Sequence, residues 1–247
     1  MEVISNKIFF NQSKNILFQL QEFEPYYYRP NLVETKICED IVVKKKQPEY
    51  FRPKQRDTLF WCFYIAAYGY DQYLCVMRNY GVKELEIKHE ASEYVKSNYK
   101  ELKESSVKMT KSLAQDMMSD FHTSVTDTNF HNFIALCFMK KINVYILHEE
   151  KPSYLKFFYH KDSPTYLFQQ EKYNRYSVQL EAMSLEKLIK IETDYYCLDS
   201  WIRPIRAISS YKVTDLEDIA YKTNLIDIPN MKKPDLYAYI SESLSWY

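Results

Sequence analysis

Only two glycines, Gly69 and Gly81, occur in a chain of 247 residues, and this shortage restricts what the chain can build. A Walker phosphate loop, a dinucleotide fingerprint and a nucleophile elbow all need glycine where the backbone turns sharply or approaches a phosphate. Most nucleotide enzymology is therefore excluded. The 33 basic residues balance the 33 acidic ones, so the chain does not bind nucleic acid through bulk charge and retains only the option of a local basic patch. With 24 Tyr and 14 Phe there is ample surface to bury, enough for one large domain or a medium domain with an appendage.

Cys38, Cys62, Cys75, Cys137 and Cys197 are widely spaced and form no CxxC pair. That pattern suits a reducing compartment and offers no zinc knuckle. No His/Cys cluster suggests a metal, and no cofactor is expected. The N-terminus lacks a basic start followed by a long apolar run, and no stretch of about 18 uncharged apolar residues occurs. A soluble protein without a signal peptide or membrane segment is the expectation. Lysine outnumbers arginine 26 to 7, and Tyr, Ile and Asn are plentiful, as in AT-rich coding sequences. This points to a large DNA virus or an AT-rich microbe, hence to host cytoplasm or virion.

Three sections follow along the chain. Residues 1–50 read as an irregular arm with one or two short strands, carrying the aromatic run Tyr26-Tyr27-Tyr28 and ending in Lys44-Lys45-Lys46. Residues 51–203 read as an α+β domain. Within it, residues 57–81 form the most apolar segment, a helix capped by Asp57 or Thr58 and stopped by Gly81. Residues 83–119 read as charged, solvated helices with a break at Ser105-Ser106. Thr126 to Asn129 caps a buried helix over FHNFIALCFMKK. Strands follow at 142–147, 153–160, 165–170 and 175–183, and their short turns predict an antiparallel meander. Residues 204–247 read as two amphipathic helices, with Pro234 in the first turn of the second.

The constellation with chemical content surrounds Cys62. A thiol at a helix start gains from the positive end of the dipole, and Gln55 upstream can donate to an oxyanion. The same cysteine, set in LFWCFYIAA, also reads as a small core residue. Asp57, Cys62, a helix running into IALCFMKKINVYIL, and the later run Tyr173-Asn174-Arg175-Tyr176-Ser177-Val178 together resemble the ovarian-tumour (OTU) branch of papain-fold deubiquitinases, over residues 50–182. The resemblance implies a papain/OTU-like fold, a helical layer on a small antiparallel sheet. It also implies a cysteine nucleophile at a helix start and a late strand beginning His-Tyr. Here Arg175, preceded by Asn174, takes the histidine's place, the Asp57-to-Cys62 spacing is longer than the family's, and the family's glycine between them is missing. Arginine stays protonated and cannot act as a general base. His89, His122, His131, His148 and His160 read as packing or surface residues.

The C-terminal pattern is similar to the SAP and Rho N-terminal families, with Lys212, Leu216, Ile219 and Ala220 in the first helix and Lys232, Lys233, Leu236 and Ile240 around the second. That resemblance implies a small module contacting nucleic acid through Lys212, Lys222, Lys232 and Lys233. The alternative is a hairpin docked on protein, since acidic residues match the lysines. The expectation is a catalytically inert papain/OTU-like protein. It would scaffold a large DNA virus particle or replication complex among other viral structural proteins, tethered by residues 204–247. The alternative is an active viral cysteine peptidase using Cys62 on a ubiquitin-like substrate.

Overall fold

The computed structural model describes residues 50–103, 109–123, 127–225 and 231–247, all within the compact unit Lys46–Tyr247. The arm expected over residues 1–50, apart from Tyr50, and the break at Ser105-Ser106 lie outside the described residues.

Helix α1 (Thr58–Tyr68) is the hub. Asp57 caps it by accepting the Phe60 N–H at 3.1 Å, as its sequence suggests. Residues 58–66 are all buried, because a helix that is apolar all round must be enclosed on every side. Gly81 does not end this helix, contrary to expectation. The chain breaks at Gly69, whose φ of 94° is open to glycine, and Gly81 lies inside a later helix. Among the described residues four further helices lie between α1 and the next buried helix: α2 (Tyr70–Cys75), α3 (Tyr80–Ser97), α4 (Tyr99–Leu102) and α5 (Lys111–His122). Helix α6 (Phe130–Lys140) starts at Asn129, whose side chain accepts the Asn132 N–H at 2.9 Å, and ends at Lys141 in a left-handed conformation with φ 55°.

Five strands follow among the described residues: β1 (Asn143–Leu147), β2 (Ser153–Phe157), β3 (Thr165–Glu171), β4 (Arg175–Val178) and β5 (Tyr196–Cys197). Their order is β4-β3-β1-β2-β5. The architecture is α+β, but the sheet is mixed and not the expected antiparallel meander. β3 pairs with β1, and β5 with β2, in parallel.

The reason lies in Asn143 at the start of β1. Its buried side chain accepts the Tyr159 and His160 N–H groups at 2.7 and 3.3 Å and donates to the His160 and Ser163 carbonyls at 2.8 and 3.2 Å. The chain leaving β2 is thereby carried round the end of β1, and β3 settles on β1's far side. Such nonlocal satisfaction of backbone groups leaves no mark in turn length.

Both sheet faces are covered. Val144, Ile146, Leu155, Phe157 and Phe168 join the helical core, while Tyr145, Leu147, Tyr154 and Leu167 form a second cluster with Ile191. The latter comes from α7 (Leu185–Asp194), a helix the sequence reading omitted. Glu192 ties α7 to the sheet, accepting from the Tyr145 hydroxyl at 2.8 Å and from Lys156 at 3.2 Å. Burial on both faces explains why INVYIL is apolar without alternation.

The C-terminal segment forms α8 (Val213–Lys222) and α9 (Lys233–Ser243). Leu216, Ile219, Ala220, Leu236, Ile240 and Leu244 belong to the same core cluster as α1. Trp246 is buried against Phe130 and His148, with ring centroids 6.0 and 5.3 Å apart, and Lys151 donates to the Ser245 carbonyl. Among the described residues no helix is long and apolar enough to cross a membrane.

Candidate functional site

The start of α1 carries the densest polar network at the expected site. Asp57 Oδ2 accepts from Thr128 N at 2.8 Å, Thr128 Oγ1 at 2.7 Å and Lys88 Nζ at 3.1 Å. Lys88 also donates to Glu84 at 2.7 Å, and the other oxygen of Glu84 takes the Trp61 indole N–H at 3.2 Å. Lys88 is 3% exposed, so this one residue departs from the solvated flank that its charged neighbours form. The triad clamps α1 to α3 and to the segment before α6. A buried ion pair of this kind holds geometry because the desolvated charges are satisfied only in one arrangement. Sequence reasoning missed Lys88, Glu84 and Thr128, and the one available signal was the Glu84–Lys88 i,i+4 spacing.

The sequence-predicted site residues divide around this clamp. Cys62 is the fifth residue of α1 and is wholly enclosed. Burial pushes its thiol well up, and the negative charges of Glu171 and Asp57 add to the rise. The expected thiolate at a helix start is therefore not what the geometry provides. A reactive thiol needs access and a depressed pKa, and Cys62 is placed as a core side chain packed in α1. Gln55 Oε1 accepts the Tyr73 hydroxyl at 2.9 Å, so its amide serves the packing of α2.

Position 58 is where α1 begins, and the structure sets it against β4. Thr58 Oγ1 accepts the Tyr176 backbone N–H at 3.0 Å. One residue earlier, Arg175 is exposed, opposite Glu171 in the β3–β4 register. Asn174 is also exposed, has φ 54°, and accepts from Gln170 Nε2 at 3.1 Å through its side chain. Asp57, Thr58 and the start of β4 are brought together, whereas Cys62 lies a turn deeper and Gln55 faces α2.

The histidines each have other neighbours. His122 Nε2 lies 3.1 Å from Ser92 Oγ, and His131 packs edge-on against Trp201. His148 Nδ1 accepts the Glu150 and Lys151 N–H groups, while His160 faces Asp162 at 3.5 Å. Burial lowers both His131 and His148, the latter to about 4 with help from the Lys151 charge. Among the described residues no group of three His, Cys, Asp or Glu side chains is arranged to hold a metal ion.

Of the hairpin lysines, Lys212 and Lys232 are exposed at the starts of α8 and α9. Lys222 donates to the Glu192 carbonyl at 3.1 Å and is spent on packing. Lys233 is partly buried. Where the hairpin meets β5, a cleft of about 690 Å³ is lined by Lys156, Cys197, Arg206, Tyr211, Asp215 and Asp218 among others. Comparison with family models, curated proteins and solved structures returns no match for this chain.

Proposed function

We propose that this chain is a catalytically silent papain/OTU-like protein. Its fold serves as a scaffold in a large DNA virus particle or replication complex, tethered by its C-terminal hairpin. One observation carries the reading: the hydrogen bond between Thr58 Oγ1 and Tyr176 N. The resemblance calls for a cysteine at a helix start facing a strand that begins His-Tyr. Here the helix start that faces the strand beginning Arg175-Tyr176 presents the hydroxyl of Thr58, Cys62, the nucleophile the resemblance implies, lies a turn deeper and enclosed, and an arginine takes the place the resemblance gives to the base. A threonine hydroxyl needs a base to become a nucleophile, and guanidinium cannot accept its proton. The enclosure of Cys62 supports the same reading.

The tether is read as a protein contact. Lys212 and Lys232 share the hairpin with Asp215, Glu217, Asp218, Asp235 and Glu242, which leaves little positive excess for phosphates. Ubiquitin carrying a C-terminal electrophile tests the silent site. No adduct is expected even at high protein concentration, and an adduct abolished by Cys62→Ala would reinstate the peptidase. The scaffolding half is tested by quantitative proteomics of purified particles and replication complexes, where absence from both would overturn it.

A further inference from the structure

The β5 side of the sheet is left unfinished. β5 is the last strand in the order and pairs with β2 only at Ser153 and Tyr154. Beyond that point the Asp199 N–H turns to the Pro204 carbonyl and the Ser200 N–H to the Arg203 carbonyl, at 2.9 and 3.0 Å, so the chain reverses and leaves β2. The Ser153 carbonyl accepts from the His148 N–H on the β1 side, and the Tyr154 carbonyl accepts from the Leu198 N–H on the β5 side. Successive residues of a strand turn their main-chain groups to opposite neighbours. Lys156 therefore turns its N–H and C=O to the β5 side, where no strand of the described residues remains.

The cleft of about 690 Å³ beside the hairpin opens at this vacated lane: Lys156 and Phe158 of β2 and its continuation line it together with Tyr211, Asp218 and Ile219. The Lys156 side chain does not guard the edge. It lies over the Tyr145 and Phe158 rings, 5.2 and 4.9 Å from their centroids, and pairs with Glu192 at 3.2 Å. Phe158 is 43% exposed. Asp218 is exposed too, with no hydrogen bond or ion pair among the described residues.

We propose that this cleft receives an extended segment of a partner protein, which adds to the sheet beside β2, lays an apolar residue on Phe158 and turns a basic one toward Asp218. An extended backbone offers a donor and an acceptor together at the spacing that Lys156 presents, the chemistry of strand addition at a sheet edge. The unpaired carboxylate selects the basic residue. A helix would cover Phe158 but bonds its main chain internally and leaves the edge bare. This inference gives a form to the protein contact read for the hairpin, and it shares no residue with the Cys62 and Thr58 region. Peptide binding can fail while the chain is still found in particles, and the reverse, so the two readings fail separately.

The test is selection of binders to the full chain from a random displayed library of peptides of about 12 residues, followed by amide NMR titration with the best synthetic peptide. Saturable shifts are expected at the Lys156 and Phe158 backbone amides, from a peptide that carries an apolar and a basic residue. Methylating the peptide's own amides one at a time should cost about tenfold or more at alternate residues and little between them, since only every second N–H of a strand faces its neighbour. Lys156→Pro removes the outward N–H at a position where an edge tolerates proline and should weaken binding about tenfold, whereas Lys156→Ala keeps that N–H and should stay within about threefold of the natural protein. Asp218→Asn should weaken binding severalfold and flatten its dependence on salt. The proposal is overturned if no selected peptide shifts the Lys156 amide, if methylation is tolerated at every peptide position, or if the proline and alanine variants bind alike; the methylation series needs no variant of the protein to fold.

Discussion

Replacing Lys88 with methionine keeps the aliphatic stem and removes the ammonium that joins Asp57 to Glu84. The side chains of Lys88 and Asp57 are 3% and 5% exposed, and that of Glu84 is 18% exposed. Removing one partner of a buried ion pair costs about 3–5 kcal/mol. The lower end applies here, because Asp57 keeps donors from Phe60 N, Thr128 N and Thr128 Oγ1 and Glu84 is within reach of water. A loss of about 3 kcal/mol corresponds to a fall in melting temperature of about 6–12 °C for a chain of this size. Guanidinium melts should show a lower midpoint at unchanged slope, and a cycle with Asp57→Asn should give a coupling above about 1 kcal/mol.

Alkaline melts provide a second arm of that test. Burial alone lowers the Lys88 pKa, but the charges and hydrogen bonds of Asp57 and Glu84 outweigh it, so it ends above its ordinary 10.5. A folded-state pKa raised in this way means the clamp contributes fully below pH 10.5 and is lost as pH climbs through the folded value. The gap between the natural protein and Lys88→Met should therefore be constant through neutral pH and narrow above 10.5. A loss below about 1 kcal/mol at pH 7, the range of exposed pairs, would refute the claim that these charges are desolvated.

Asn143→Ala leaves the Tyr159 N–H and the His160 and Ser163 carbonyls without their partner. It should cost about 3 kcal/mol or more by chemical denaturation, and a loss typical of surface sites would show that the crossover does not depend on this amide. His148, with its pKa lowered to about 4 against 6.5 when unfolded, binds fewer protons folded than unfolded. Stability should therefore fall by about 1–2 kcal/mol as pH drops from 6.5 to 4, once solvent near its partly exposed ring is allowed for. His148→Asn should flatten that slope in thermal melts. Alkylation followed by mass spectrometry should label Cys75 and Cys197, which are exposed, and spare Cys62 and Cys137, which are buried, until the protein unfolds; early labelling of Cys62 would contradict its enclosure. Binding to duplex DNA should be weak at physiological salt and little altered in Lys212→Ala/Lys232→Ala, and tight, steeply salt-dependent binding lost in that variant would move the hairpin to the nucleic-acid side.

Local signals were legible wherever the deciding contacts are local. Asp57 and Asn129 are side-chain caps a few residues from the N–H groups they bind, and the apolar runs at β1, β2 and β3 carry β-branched and aromatic residues in strand-length stretches. Counting from the Asp57 cap even places Cys62 five residues into the helix, away from its start. Helix α7 was missed although Ser184 caps it by accepting from Lys187 N: it buries chiefly Ile191, so no long apolar stripe announces it. Lys88 was misread because the residues around it are charged and solvated, and its one unusual property, burial beside Asp57, arises from residues 31 positions away.

The sequence by itself determined the α+β class, the starts of α1 and α6, the positions of β1 to β4 and the two C-terminal helices, because each depends on periodicity and capping within about ten residues. Only the tertiary structure decided the parallel pairing of β3 on β1, the burial of Lys88, the enclosure of Cys62 and the meeting of Thr58 with Tyr176. These depend on which distant groups satisfy a buried polar atom. Asn143 reaches the loop at 159–163, Asp57 reaches Thr128 across 71 positions, and Thr58 reaches Tyr176 across 118. Desolvation makes such partners obligatory once the core closes, yet no local pattern names them. The scarcity of glycine excluded phosphate loops at the outset, and the folded chain shows where one of its two glycines is needed: Gly69, at the positive φ that ends α1.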